Sequence, residues 1–283
     1  MNQKSFGITL GILTILMWGS LATFGNLLIH LPPFYILGVT FLIASIPGMF
    51  KPREFFPPVK VLGWGVFGYF GYHFCLFYSF RFAPAIEANL INYLWPVLMV
   101  LFTPVVFPKE SLRKHHLLGA VLSVIGCVLL IHGKGGDLSL DNIYGYLLAL
   151  GAALIWPIYS LGKLKFSPTP IWSIGSFCLF SSILSFVTHY LIEPRVVLQF
   201  HDAWKLILMG IGPFGIAFYS WDVALRKGDA KVIGALAYLT PVFSTLGLVF
   251  FAGQEMVSST LLAMIFIICG ASTGLLDFWG GRR

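Results

Sequence analysis

Charge is what this sequence has least of. Only 10% of its 283 residues are Asp, Glu, Lys or Arg, against 58% hydrophobic residues, whereas a soluble domain carries roughly 25% charged residues. That shortage excludes a soluble globular protein and leaves no room for a sizeable soluble domain, so the lipid bilayer is the expected surrounding. Acids are scarcer than bases, 11 against 18. The bases are scattered through short connections rather than gathered in a stripe, which argues against nucleic acid as a partner. Cysteine is scarce as well. Cys75, Cys127, Cys178 and Cys269 fall inside apolar runs at spacings that fit no metal motif, and they read as small packing residues. Neither a metal nor a cofactor is expected. Also missing is a convergent set of acid, base and nucleophile, so an enzyme is not expected. Gly270-Ala271-Ser272-Thr273-Gly274 has the letters of a hydrolase elbow but lies in an apolar run, not at a strand–turn–helix. Gly133-Lys134-Gly135-Gly136 lacks the spacing of a nucleotide-binding loop. A sensor would need an output domain, and no connection is long enough to hold one.

What is present is apolar length. Ten runs lie near 6–28, 34–50, 61–80, 84–106, 116–131, 143–162, 170–191, 204–224, 231–252 and 258–278. Most approach the roughly 17–25 residues that a helix needs to cross a bilayer. The first is long enough to be a span rather than a cleavable leader. The expected fold is therefore an all-α membrane protein of ten transmembrane helices, which puts both termini on one side. With the N-terminus inside, only Arg81, Lys134, Arg195 and Lys205 of the 18 Lys and Arg fall in outer connections. The positive-inside bias places both termini in the cytoplasm.

The runs also repeat. Phe6-Gly7 and Trp18-Gly19 return as Tyr144-Gly145 and Trp156-Pro157, at a spacing of 138. Arg81, Tyr93-Leu94, Pro96-Val97 and Glu110 return as Arg226, Tyr238-Leu239, Pro241-Val242 and Glu255, at a spacing of 145. Five spans per copy is an odd number, so residues 143–278 enter the membrane from the side opposite to residues 6–131. Secondary transporters use such inverted repeats to place two alternating gates around a central cavity.

Polar groups at membrane depth are expensive, and they mark function. Asn92-Tyr93-Leu94-Trp95-Pro96 puts several in the middle of the fourth run. Proline has no N–H, so Pro96 leaves the Asn92 carbonyl without its helical partner. At ~100° per residue, Asn89, Asn92, Tyr93, Pro96 and Thr103 share a face flanked by Trp95. Tyr72 and His73 lie on a stripe of the third run with Gly65 and Gly68. Trp18 and Trp156 are repeat-related indoles at mid-span, away from the headgroup belt, and Tyr238 repeats Tyr93. Tyr72, His73, Asn92, Tyr93, Trp95, Trp18, Trp156 and Tyr238 are thus the expected substrate-binding set. His73 is expected to meet the polar end of the substrate, most readily a carboxylate. Gly65, Gly68 and Pro96, with Gly212, Pro213 and Pro241, mark close packing or bends and are the expected gating residues. Glu87 lies in an apolar run near the outer end, where it serves proton coupling or an ion pair with Arg81. Asp222, Asp277 and Glu255 lie nearer to run ends and are expected to be solvated.

Two five-helix copies, each with a polar-aromatic stretch, a Pro-Val pair and a following Glu, resemble the drug/metabolite transporter superfamily, EamA type. Ala85-Ile86-Glu87, the Asn92–Pro96 string and Tyr238-Leu239-Thr240-Pro241-Val242 resemble more narrowly the YddG-type aromatic amino acid exporters. The resemblance implies ten helices around a central cavity and export of aromatic or amphipathic amino acids and related metabolites across a bacterial cytoplasmic (inner) membrane. Superfamily members differ widely in substrate, so another metabolite class is the rival expectation.

Overall fold

The computed structural model describes residues 2–132, 139–165, 169–196, 199–253, 258–274 and 276. Every regular element among them is helical. Glu255, Asp277 and the Gly133–Gly136 stretch lie outside the described residues.

Five helical stretches are long and apolar enough to cross a membrane: Gln3–Leu27, Leu140–Lys163, Ser173–Ile192, Phe200–Lys227 and Ala230–Phe251. Shorter apolar helices cover Pro33–Met49, Trp95–Val106, Lys114–Leu129 and Thr260–Thr273. Their ends follow from local chemistry. The Asn2 side chain caps the first helix by accepting from the Lys4 N–H. Pro33 occupies the first position of its helix, where no N–H is needed. Gly253, with φ of 66°, closes Thr240–Ala252 in the left-handed conformation that glycine tolerates. Val121, Leu147, Ile183 and Ile265 point outward and exposed, as helices surrounded by lipid require.

The helices pack in reciprocal sets. Gln3–Gly19 lies on Ala217–Lys227, and Ile143–Lys163 on Tyr72–Ser79. Pro33–Met49 pairs with Ser173–Ile192, and Lys114–His132 with Ser258–Gly274. Small residues set the distances. A Cβ at Gly7 would strike the backbone of Gly228, and one at Gly48 the backbone of Gly175.

Two kinds of irregularity recur at the spacing of 145. Single π turns interrupt long helices at Phe67–Gly71 and at Gly212–Ile216. Helices then start at Ala85 and Ala230, break, and restart at Trp95 and Thr240. The first break explains itself. Leu94 N–H reaches only the Ile91 carbonyl, and Pro96 cannot donate to Asn92. The chain therefore starts a fresh helix with proline at its second position. The expected continuous fourth helix is instead two pieces, Ala85–Asn92 and Trp95–Val106.

Candidate functional site

A cavity of about 460 Å³ opens between the helices. Its walls include seven residues of the expected binding set: Trp18, Tyr72, His73, Asn92, Tyr93, Trp95 and Trp156. Four polypeptide stretches that are distant in sequence are thereby brought to one space. The cavity runs from Trp18 at mid-helix to Leu28, Ile29 and Phe80 at one end of the bundle, where Ile29 is 80% exposed.

Aromatic rings form the floor. Trp18 sits 5.5 Å from Trp156, 6.2 Å from Trp95 and 5.0 Å from Trp221, ring centre to ring centre. Edge-to-face pairs of this kind contribute about 0.5–1.5 kcal/mol beyond area burial. Each buried indole N–H needs an acceptor. Trp18 donates to the Pro213 carbonyl at 3.1 Å, inside the second π turn, and Trp221 donates to Ser160 Oγ at 3.1 Å. Trp221 is absent from the expected set; its repeat partner at the spacing of 145 is Leu76, so no matching aromatic marked it.

Polar groups sit on the wall. The Asn92 side-chain N–H donates to Tyr72 Oη at 3.2 Å, while its Oδ1 is buried without a donor from the chain. A buried acceptor left unmet costs about 1–3 kcal/mol, so Oδ1 is poised to receive a donor from a ligand. His73 Nδ1 donates to the Tyr69 carbonyl at 2.7 Å, in the first π turn. In the neutral ring this fixes Nε2 as an acceptor. The neutral ring therefore offers an acceptor that suits an ammonium, while a carboxylate would need the protonated ring, in which Nε2 donates.

Other expected residues lie elsewhere. Tyr238 does not line this cavity. It is buried in a separate cluster with Cys127, Val242 and Ala263, packed against the Ser258–Gly274 helix. Glu87 is buried, but it does not pair with Arg81. It accepts hydrogen bonds from Tyr146 Oη and from Asn142 Nδ2, the latter at 3.4 Å. Arg81 instead donates to the Ile192 carbonyl at 2.7 Å. Among the expected gating residues, Gly65 packs against the Phe177 ring and Gly68 against the Tyr159 ring. Gly212 and Pro213 open the second π turn, and Pro96 and Pro241 sit at the second position of restarted helices.

The opposite end of the bundle is packed shut toward the central cavity, with a pocket lined by Thr169, Asp222 and Arg226 on its outer face. Asp222, expected to be solvated, is buried there with Lys163 Nζ 2.7 Å from Oδ1 and Arg226 Nε 2.8 Å from Oδ2. Arg226 also donates to the Thr169 carbonyl at 2.7 Å. Sequence position near a run end hid Asp222; the i, i+4 spacing to Arg226 was its visible signal.

Known proteins resemble this chain throughout. The model of the EamA-like transporter family matches twice, at residues 5–132 and 143–273. The aromatic amino acid exporter YddG of Ancylobacter novellus is 36% identical over 97% of this chain and 98% of its own length. A probable amino-acid metabolite efflux pump of Salmonella typhimurium is 24% identical over 95% of this chain and 94% of its own. A solved crystal structure at 34% identity superposes with a TM-score of 0.92, covering 99% of this chain and all of the other.

Proposed function

Because the chain belongs to the EamA-like transporter family, and so to the drug/metabolite transporter superfamily, we propose that it is a secondary exporter of aromatic and other amphipathic amino acids. It is an integral membrane protein and a transporter rather than an enzyme. The observation that carries the substrate class is the pairing of tryptophan walls with the unmet Asn92 Oδ1 and the His73 acceptor in one cavity. Rings stack against Trp18, Trp95 and Trp156, and the substrate ammonium meets Asn92 and His73.

The reading includes ten spans in an inverted five-plus-five arrangement, residues 6–131 and 143–278, with both termini on the cytoplasmic side of the inner membrane. The reciprocal helix pairs and the recurrence of π turns and helix breaks at 145 residues support it. In this orientation the cavity faces outward and the Lys163–Asp222 end faces the cytoplasm. Transport proceeds by alternating access. The π turns and the breaks at Pro96 and Pro241 serve as bends, since a helix kinks where its hydrogen-bond ladder is interrupted. Gly65 and Gly68 allow the packed rings to slide. Glu87 anchors Ala85–Asn92 to the Leu140–Lys163 stretch rather than carrying a coupling proton.

Counterflow in proteoliposomes tests the reading. Internal unlabelled phenylalanine should drive uptake of labelled phenylalanine and tryptophan, and labelled alanine should enter poorly. Exchange of a non-aromatic metabolite in place of both aromatic amino acids would replace the substrate class.

A further inference from the structure

The two ends of the transport axis are built from corresponding residues of different chemistry. At the repeat spacings of 138 and 145, Ala22, Gly25, Leu76 and Phe77 correspond to Ser160, Lys163, Trp221 and Asp222. The first four all line the open cavity. The second four pack against one another at the sealed end. Trp221 donates to Ser160 at 3.1 Å, and Lys163 lies 2.7 Å from Asp222, with 4% and 7% of the two charged side chains exposed.

Glycine and phenylalanine occupy the corresponding places at the other end. An apolar pair would close the sealed end equally well, and burying two ions costs desolvation that an apolar pair avoids. Sealing alone does not call for these charges.

We infer that Lys163 and Asp222 form a cytoplasmic-side binding site for the zwitterionic head of an amino acid, with Asp222 taking the α-ammonium and Lys163 the α-carboxylate. The inference rests on the transport reading and on its inverted repeat. When the second copy adopts the arrangement that the first copy shows, Lys163 and Asp222 come to line an inward-facing cavity, as Gly25 and Phe77 line the outward-facing one. Lys163 must then part from Asp222, which frees Oδ1 while Arg226 stays on Oδ2, and a zwitterion supplies each of the parted groups with a replacement of the right sign. On return to the outward-facing state the two residues pair with each other again, and the substrate loses both contacts. It is left against Gly25 and Phe77, which offer no charge. Substrate is held on the side where it is captured and loosened on the side where it leaves. Without an energy source the ratio of maximal rate to apparent Km stays equal in both directions, so the asymmetry shows in apparent affinity and not in the final distribution.

Inside-out and right-side-out membrane vesicles expose the two faces separately. In wild type, labelled phenylalanine should bind the cytoplasmic face more tightly than the external face. Phenethylamine, which lacks the carboxylate, should compete poorly at the cytoplasmic face and better at the external one. The double variant Lys163→Met/Asp222→Leu keeps the sealed end packed and leaves no unpaired buried lysine. It should lose about tenfold or more in cytoplasmic affinity, the scale of hydrogen bonds to charged groups, with external affinity little changed. Equal discrimination against phenethylamine at the two faces of wild type would overturn the inference without any variant. So would unchanged cytoplasmic affinity in a double variant that melts at the wild-type temperature. Absence of aromatic amino acid flux in both vesicle types would instead sink the transport reading, and this site with it.

Discussion

The mouth and the floor of this bundle differ in kind: the mouth opens into the tryptophan-walled central cavity, whereas the pocket at the floor lies on the outer face, beside Asp222 and Arg226. At the mouth, Gly25 faces open space and Arg81 is exposed, spending its donor on a backbone carbonyl. At the floor, Gly7 presses on the Gly228 backbone, and Arg226 joins Lys163 around a buried carboxylate. Thr14 and Ser220 add a 2.8 Å hydroxyl pair across the same seam. The difference teaches that closing one end of a helical bundle takes close backbone contact, and that charges buried in the closed end must be matched. Leaving the other open takes only residues too small or too apolar to bridge the gap.

The comparison breaks first at Asp222. Asp222→Ala leaves Lys163 buried and unpaired, and removing one partner of a buried pair costs about 3–5 kcal/mol. Thermal unfolding in detergent should show a large fall in Tm, while Arg81→Ala at the mouth should stay within about 0.5 kcal/mol. Equal Tm values for the two variants would mean that the floor is not held by its charges.

A second effect separates stability from binding. Asn92→Leu removes an unmet buried acceptor together with the bond donated to Tyr72, and the two offset, so Tm should move little. Binding of phenylalanine should weaken about tenfold or more, as expected on loss of a hydrogen bond to a charged group. Titration calorimetry on the same purified sample reads the affinity. Wild-type affinity in a folded Asn92→Leu protein would remove this amide from the site.

The third test sharpens the glycine contrast through its sign. Gly7→Ala overpacks a backbone contact and should cost about 1–3 kcal/mol. Gly25→Ala meets nothing and lies in a helix, where alanine is favoured by roughly 0.5–1 kcal/mol. Melting curves should therefore move in opposite directions. A gain in both would show that the floor has slack.

The weakest effect concerns the anchor at the mouth. Tyr146→Phe deletes one hydrogen bond to Glu87 and leaves Asn142 in place, a net loss of about 0.5 kcal/mol, the low end for a hydrogen bond where a second donor remains. Hydrogen exchange of the Ala85–Asn92 amides should quicken without loss of transport. Loss of transport with unchanged exchange would return Glu87 to a role in coupling.

Membrane residence and apolar helices were legible in the sequence because lipid imposes them on any chain with so little charge. The spacing of 145 read from the sequence reappears in the π turns and the helix breaks. Asn92, Tyr93, Trp95, Trp18 and Trp156 stood out because amide and indole at membrane depth break the local rule. What misled was distance from a run end used as a measure of burial. Asp222 sits near such an end and is nonetheless enclosed, since Leu140–Lys163 carries a lysine to it. Tyr238 sits at mid-run and lies outside the cavity, since the Ser258–Gly274 helix packs over it.

The sequence by itself determined that this chain lies in a bilayer, how its apolar runs are punctuated, and which side chains are too polar to face lipid, because each is a local cost of transfer from water. Only the tertiary structure decided which of those side chains meet. Whether a carboxylate is solvated or paired, and whether an indole walls a cavity or plugs its floor, depends on partners 59 to 195 residues away that no local preference specifies.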